Sequence, residues 1–259
     1  MGNAEIQGKL WGAAARDWAD LQEPTAKRLW EAMLEAAGVA GGTRLLDAGC
    51  GSGGACVVAQ RRGAHVSGID ASQALIAIAS ERVPSGDFRV GDLEELPYDE
   101  GAFDAIIASR SVEYTADPVA ALVELKRVCV AGGRVVVATW GAPENCEMRV
   151  VFEAVRDIIP DPPKGLPQFA LSAPGALEEL VGKAGLKAIG SGEAENTFVY
   201  PDLEACWRAQ RSAGPLQGTM RTIGEERLKA AVLKACEPYR TSSGEVRLEN
   251  TMRYVTATA

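Results

Sequence analysis

Histidine is almost missing: the 259 residues contain one, His65. Six cysteines (Cys50, Cys56, Cys129, Cys146, Cys206 and Cys236) are scattered, with no Cys-x-x-Cys pair. Together these scarcities argue against a zinc site, and no metal is expected. Basic residues are outnumbered, 27 against 35 acidic, for a net charge of −8. A nucleic-acid partner usually needs a basic face, so none is expected. No apolar run is long enough to span a bilayer, which removes a membrane partner. The polar start, Met1 to Ile6, predicts no secretory signal, and Ile6 stands where a myristoylation signal needs Ser or Thr. There is no internal repeat and no low-complexity segment. Aromatics are only 6%, too few to mark an acceptor pocket. Scattered cysteines in such a chain predict reduced thiols and a cytoplasmic protein.

What is present is apolar: 47% hydrophobic against 24% charged residues, enough for one substantial core. The organising stretch is Leu45 to Ala55, Leu-Leu-Asp-Ala-Gly-Cys-Gly-Ser-Gly-Gly-Ala. It predicts a short buried strand, a tight glycine turn and the first turn of a helix. Gly49, Gly51 and Gly53 remove side chains where the backbone must bend or approach a ligand. As a bare pattern, Gly49-x-Gly51-x-x-Gly54 matches the dinucleotide fingerprint. Asp47 argues against that match, because a carboxylate there repels a pyrophosphate and welcomes an amino group.

The rest of the first half alternates strands and helices. Strands are predicted at about 43–48, 65–70, 87–91, 102–108 and 134–140, with helices at about 53–62, 72–83 and 117–130. Asp70 ends the second strand, 19 positions after Gly51, the distance at which a βαβ unit sets a carboxylate beside a ribose. His65 opens that strand and is expected at the surface. Ser72 suits a helix N-cap, as does Asp117 before Pro118. Ala131-Gly132-Gly133 is expected to turn into the fifth strand. Glu94 and Glu95 are expected to be solvated. Ahead of the first strand, residues 5 to 38 predict two helices. Trp11, Ala14, Ala15 and Trp18 share a face, Pro24 restarts the chain, and Gly38 caps it.

Beyond Trp140, helices are predicted at about 144–158, 174–184, 202–212 and 224–237, and a strand within 186–200. Pro160, Pro162, Pro163, Gly165 and Pro167 form a stiff loop. Residues 245–255 alternate polar and apolar, as a half-buried antiparallel strand does.

These residues resemble the class I methyltransferases that use S-adenosylmethionine (SAM), in the ubiquinone/menaquinone-biosynthesis, small-molecule branch. The match is strong over 41–140. The resemblance implies an α/β, Rossmann-like seven-stranded sheet, order 3-2-1-4-5-7-6, with the last strand antiparallel and helices on both faces. It implies one domain over 1–259, with a helical lid at 1–38, a cofactor core at 41–140 and a helical insertion at 201–240 as substrate roof. Asp47, Gly49, Cys50, Gly51 and Gly53 would cradle the methionine end of SAM. Asp70 with Ala71 would take the ribose, Gly91, Asp92 and Leu93 the adenine, and Ser109 with Arg110 would lie near the methionine moiety. Trp11, Trp18, Trp140, Trp207 and Arg211, with Arg208 beside it, are candidates for the acceptor pocket. Several relatives carry a histidine after the fourth strand; this chain has Glu113-Tyr114, the remaining acid–base candidates. The implied activity is methyl transfer to an O, N or C atom of a small molecule, by a monomer or homodimer. Two alternatives stand beside it. One is a SAM-binding protein of the same fold that transfers no methyl. The other is an NAD(P)-dependent oxidoreductase, although no tyrosine is followed four residues later by lysine.

Overall fold

The computed structural model describes residues 3–162 and 164–259. Its frame is one seven-stranded sheet in the order β3-β2-β1-β4-β5-β7-β6. The strands are β1 (Arg44–Ala48), β2 (His65–Asp70), β3 (Asp87–Val90), β4 (Phe103–Ser109), β5 (Cys129–Trp140), β6 (Lys187–Tyr200) and β7 (Val246–Thr258). Strands β1 to β5 pair in parallel, and β7 runs antiparallel to both β5 and β6. This is the expected topology.

Eleven α-helical segments are described: α1 (Asn3–Trp11), α2 (Ala15–Asp17), α3 (Lys27–Ala36), α4 (Gly54–Arg61), α5 (Gln73–Arg82), α6 (Pro118–Val128), α7 (Arg149–Arg156), α8 (Ala176–Lys183), α9 (Leu203–Arg211), α10 (Gly214–Ile223) and α11 (Glu225–Cys236). Consecutive strand residues send their side chains to opposite faces. Leu45, Ile107 and Val136 therefore join the core beneath α3 and α4, while Leu46, Ile106 and Val137 join the one beneath α6 and α8. Because helices cover both faces, the central strands can be apolar throughout. Ser72 and Asp117 cap α5 and α6 through their side chains, as their positions predicted.

Departures from the sequence pattern cluster at the ends of the chain. The N-terminal region is not two continuous helices. Between α1 and α3 the chain passes through a 3-10 turn at Gly12–Ala14, the short α2, a π-turn at Trp18–Gln22 and a 3-10 turn at Glu23–Ala26. The wide π-turn breaks the regular helical face, a device common near functional sites. Helix α10 was not foreseen, because Gly214, Pro215 and Gly218 resemble a loop. Pro215 falls in the first turn, where proline is tolerated. Gly214 is required by packing: a Cβ there would lie 2.7 Å from the Trp11 indole nitrogen.

Smaller differences have local causes. The turn at 131–133 lies inside β5 as an irregularity in its pairing with β4, with Gly132 at φ 77°. The helix expected at 144–158 is a 3-10 turn at Pro143–Asn145 followed by α7. Pro160, Pro162 and Gly165 lie in an irregular loop, and Pro167 opens a 3-10 turn; Pro163 lies outside the described residues. All six cysteines are free and buried, and His65 is exposed.

Candidate functional site

In open parallel sheets the crevice lies beyond the carboxyl ends of the strands. Here the ends of β1, β2 and β4 meet. After Asp47 and Ala48 the chain turns sharply through Gly49 and Gly51, both with positive φ, before Gly53 caps α4. Neither turn position has room for a side chain. A Cβ on Gly49 would lie 2.2 Å from the Ser111 Cβ, and one on Gly51 would lie 2.5 Å from Glu23 Oε1.

Three carboxyls surround this turn, Asp47 and Glu23 buried and Asp70 half-buried. Asp47 is 2% exposed, and among the described residues its carboxylate accepts from the Cys56 thiol alone, through Oδ2 at 3.5 Å. Burial raises its pKa to about 7; the Cys56 contact opposes this, and the charges of Glu23 and Asp70 add to it. Asp70 accepts from the Gly51 N–H at 2.9 Å through Oδ2 and from the Ser72 N–H at 2.8 Å through Oδ1. Burial raises its pKa too, against those two bonds. Glu23 reaches in from the N-terminal region, accepting from the Ser52 N–H at 2.6 Å, the Ser52 hydroxyl and the Trp18 indole N–H at 3.3 Å. Its pKa is raised by burial, which the Ser52 bonds and Arg82 oppose.

Arg82 secures this corner. Nη1 donates to Glu23 Oε2 at 2.9 Å and to the Ser52 hydroxyl at 2.7 Å, while Nη2 donates to the Ala19 carbonyl at 2.8 Å. Removing a cation from a buried carboxylate leaves an uncompensated charge, typically costing about 3–5 kcal/mol. With the arginine partly exposed, Arg82→Ala should lower stability by about 2–3 kcal/mol in denaturant unfolding. Glu23→Gln in the same background should recover part of the loss.

The cavity has two lobes. The larger, about 120 Å³, lies against Gly49, Gly51, Asp70 and Ala71, then Gly91, Asp92 and Leu93. Ser109, Arg110 and Tyr114 close it from β4, and Trp11 and Trp18 from the N-terminal region. The smaller, about 40 Å³, brings Asp47 and Cys50 together with Glu23 and Trp30. Both lobes touch Trp18, Gly49, Gly51, Ser109 and Arg110. Every cofactor candidate except Gly53 therefore lines one lobe or both. The residues fit SAM: the turn has a side-chain-free floor, and no cation pairs with Asp47 among the described residues.

Other candidates fall elsewhere. Trp140 lies behind the cavity, its ring 5.0 Å from the Arg110 guanidinium carbon. Trp207 is a correction to the sequence expectation: it is 2% exposed in the core and lines neither lobe. Arg211 and Arg208 also lie away from the cavity, paired with Asp17 at 3.5 and 2.5 Å, because α9 packs against the N-terminal region. Glu113 lies just outside both lobes, with Oε1 buried and unpartnered; burial raises its pKa to about 7, opposed by Arg110. Burial also raises the Tyr114 pKa, and the ring packs edge-on against Trp11 at 5.2 Å. Glu94 is not merely solvated, since it accepts from the Ala116 N–H at 2.6 Å.

Glu23 and Arg82 were not foreseen. They come from segments 59 residues apart, and Glu23 stands in a polar stretch, Asp20 to Arg28, where a carboxylate carries no signal of its own.

A family model described as "Methyltransferase domain" matches residues 46–137. A malonyl-[acyl-carrier protein] O-methyltransferase of Dechloromonas aromatica is 32% identical over 208 residues, 78% of this chain and 75% of that one. A demethylmenaquinone methyltransferase of Beutenbergia cavernae is 37% identical over 45% of this chain and 49% of its own. Among solved structures, the [4+2]-cyclase SpnF has a TM-score of 0.55 at 23% identity, covering 88% of this chain and 80% of that one. Geranyl diphosphate C-methyltransferase from Streptomyces coelicolor A3(2) has a TM-score of 0.51 at 20% identity, covering 89% and 78%. At those identities the two structures speak for the fold alone. Sequence, topology and the glycine turn agree: the chain belongs to the class I SAM-dependent methyltransferases.

Proposed function

We propose that this chain holds SAM across both lobes and delivers its methyl group to a small-molecule acceptor. The observation that carries this is Asp47, a buried carboxylate at the strand end with no cationic partner among the described residues, facing a side-chain-free turn. Asp47 accepts the ligand ammonium. Asp70 uses the lone pairs left by Gly51 and Ser72 for the ribose hydroxyls. Asp92 accepts from the adenine amino group and Leu93 packs on the ring, while Ser109 lies beside the methionine moiety.

SAM, when bound, supplies a methyl already activated by its sulfonium. The protein's task is then to align the acceptor and keep water out, and alignment can contribute up to about 7–11 kcal/mol. Residues 3–38 serve as the lid, and 201–240, none of which lines either lobe, brace that lid through α9 and α10 rather than roof the acceptor. The lid is closely seated: a Cβ on Gly8 would lie 2.1 Å from the Ala71 carbonyl oxygen. Gly8→Ala should therefore displace α1 and weaken SAM about tenfold in calorimetry, while melting of the apo-protein changes by under about 1 kcal/mol.

A general base contributes typically about 10²–10⁴-fold where the acceptor must lose a proton. Glu113 and Tyr114 line up poorly for that task, one outside the cavity and the other with its pKa raised. Glu113→Gln and Tyr114→Phe should each keep turnover within about tenfold of wild type. A loss of 10² or more would assign the base.

Thermal shift tests the whole reading. SAM and its demethylated product at 100 times their dissociation constants should each stabilise by about 2.7 kcal/mol, and NAD and NADP should not. Stabilisation by NAD or NADP alone would favour the oxidoreductase. Stabilisation by SAM without label transfer to any metabolite would favour the non-transferring protein.

A further inference from the structure

Among the described residues that line the cavity, one carries a positive charge. Arg110 follows β4 and lines both lobes. Its backbone is in the left-handed region, at φ 53°, anchored by its N–H on the Ala138 carbonyl at 3.0 Å. For a non-glycine residue that conformation is unfavourable and persists only where the surroundings impose it. The side chain rests over the Trp140 ring. Its Nε is buried and donates to nothing, and no carboxylate among the described residues forms an ion pair with it. A guanidinium offers a planar fork of donors matched to carboxylate oxygens, and buried donors left empty in a protein call for a partner.

The side of the cavity it serves can be read from its neighbours. Its charge acts on Glu113, Tyr114 and Tyr200. The charges acting on Asp47 come from Glu23 and Asp70 instead. The guanidinium lies over the Trp140 ring behind the cavity, and Arg110 shares the wall of the larger lobe with Tyr114. We propose that Arg110 is the specificity residue of the acceptor pocket and that the methyl acceptor carries a carboxylate held by its guanidinium. This rests on the SAM reading above. It assigns Arg110 to the acceptor rather than to the methionine end.

The test uses the full chain saturated with S-adenosylhomocysteine. The probes are 3-phenylpropanoate and octanoate, each paired with its primary amide, measured by calorimetry. Wild type should bind each acid at least about tenfold more tightly than its amide, the scale of a charge-assisted pair. Arg110→Gln should erase that preference, and Arg110→Lys, which keeps the charge but not the fork, should retain part of it. S-adenosylhomocysteine affinity is measured in both variants as the readout for the cofactor end. Equal affinity of wild type for acid and amide, including no detectable binding of either, overturns the proposal whether or not the variants fold. A tenfold loss of S-adenosylhomocysteine affinity in Arg110→Gln with the acid preference intact also overturns it, and returns the guanidinium to the cofactor's own carboxylate. Failure of wild type to take up S-adenosylhomocysteine at all removes the SAM reading, and this proposal with it.

Discussion

Asp47→Asn should weaken SAM binding by at least about 10²-fold while making the apo-protein more stable at neutral and alkaline pH. Both effects follow from one buried carboxyl. Asp47 is held at a pKa of about 7, against an unfolded value near 4. Its folded form thus favours the proton. The stability this contributes is full below about pH 4 and is lost as pH rises through 7, amounting to at most about 4 kcal/mol. The asparagine variant is spared that loss, and its melting temperature at pH 8 should exceed wild type by about 2–4 °C for each kcal/mol relieved. At pH 4 the two proteins should melt together at this site. Binding moves the opposite way, because an ammonium held by a carboxylate has no equivalent in an amide. Truncating one partner of a buried charged pair costs about 2–5 kcal/mol. The same logic makes wild-type affinity for SAM fall as pH drops below about 7, when Asp47 takes up its proton. A variant less stable at pH 8, or one binding SAM normally, would refute this.

Asp70→Ala should cost about 30- to 10³-fold in SAM affinity, the range of a lost charged hydrogen-bonding partner. The carboxylate has two duties. It fixes the glycine turn by accepting from Gly51 and the start of α5 by accepting from Ser72. It also faces the larger lobe. Removing it leaves both N–H groups to find water, so the loss should appear in the adenosine portion of the ligand. Adenosine alone should lose affinity in Asp70→Ala and keep it in Asp47→Asn. Unchanged adenosine binding in Asp70→Ala would remove the ribose assignment.

Much of this architecture could be read before any coordinates. The β1–α4–β2 unit was legible because its signals are local: apolar Leu45 and Leu46, glycines at the bend, and a carboxylate 19 residues past Gly51. The later parts resisted for physical reasons. Gly214 and Pro215 looked like a loop because the cause of Gly214, the Trp11 ring against it, lies over 200 residues away. Trp207 and Arg211 looked like pocket residues because composition cannot separate a core tryptophan from a lining one. Glu23 was invisible for the same reason as Arg82: each gains meaning only when the N-terminal turn folds onto the Gly51–Ser52 backbone. The cofactor candidates fall within residues 47–110 of the sheet core, whereas Trp11, Trp18 and Glu23 fold onto them from the N-terminal region.

The central claim is that the carboxylate of Asp47 receives an ammonium. The most direct measurement is the affinity of S-adenosylhomocysteine against its deamino analogue, in wild type and in Asp47→Asn. Wild type should prefer the amine by about 30-fold or more, and the variant should bind the two alike. Equal affinity of wild type for both ligands would contradict the account.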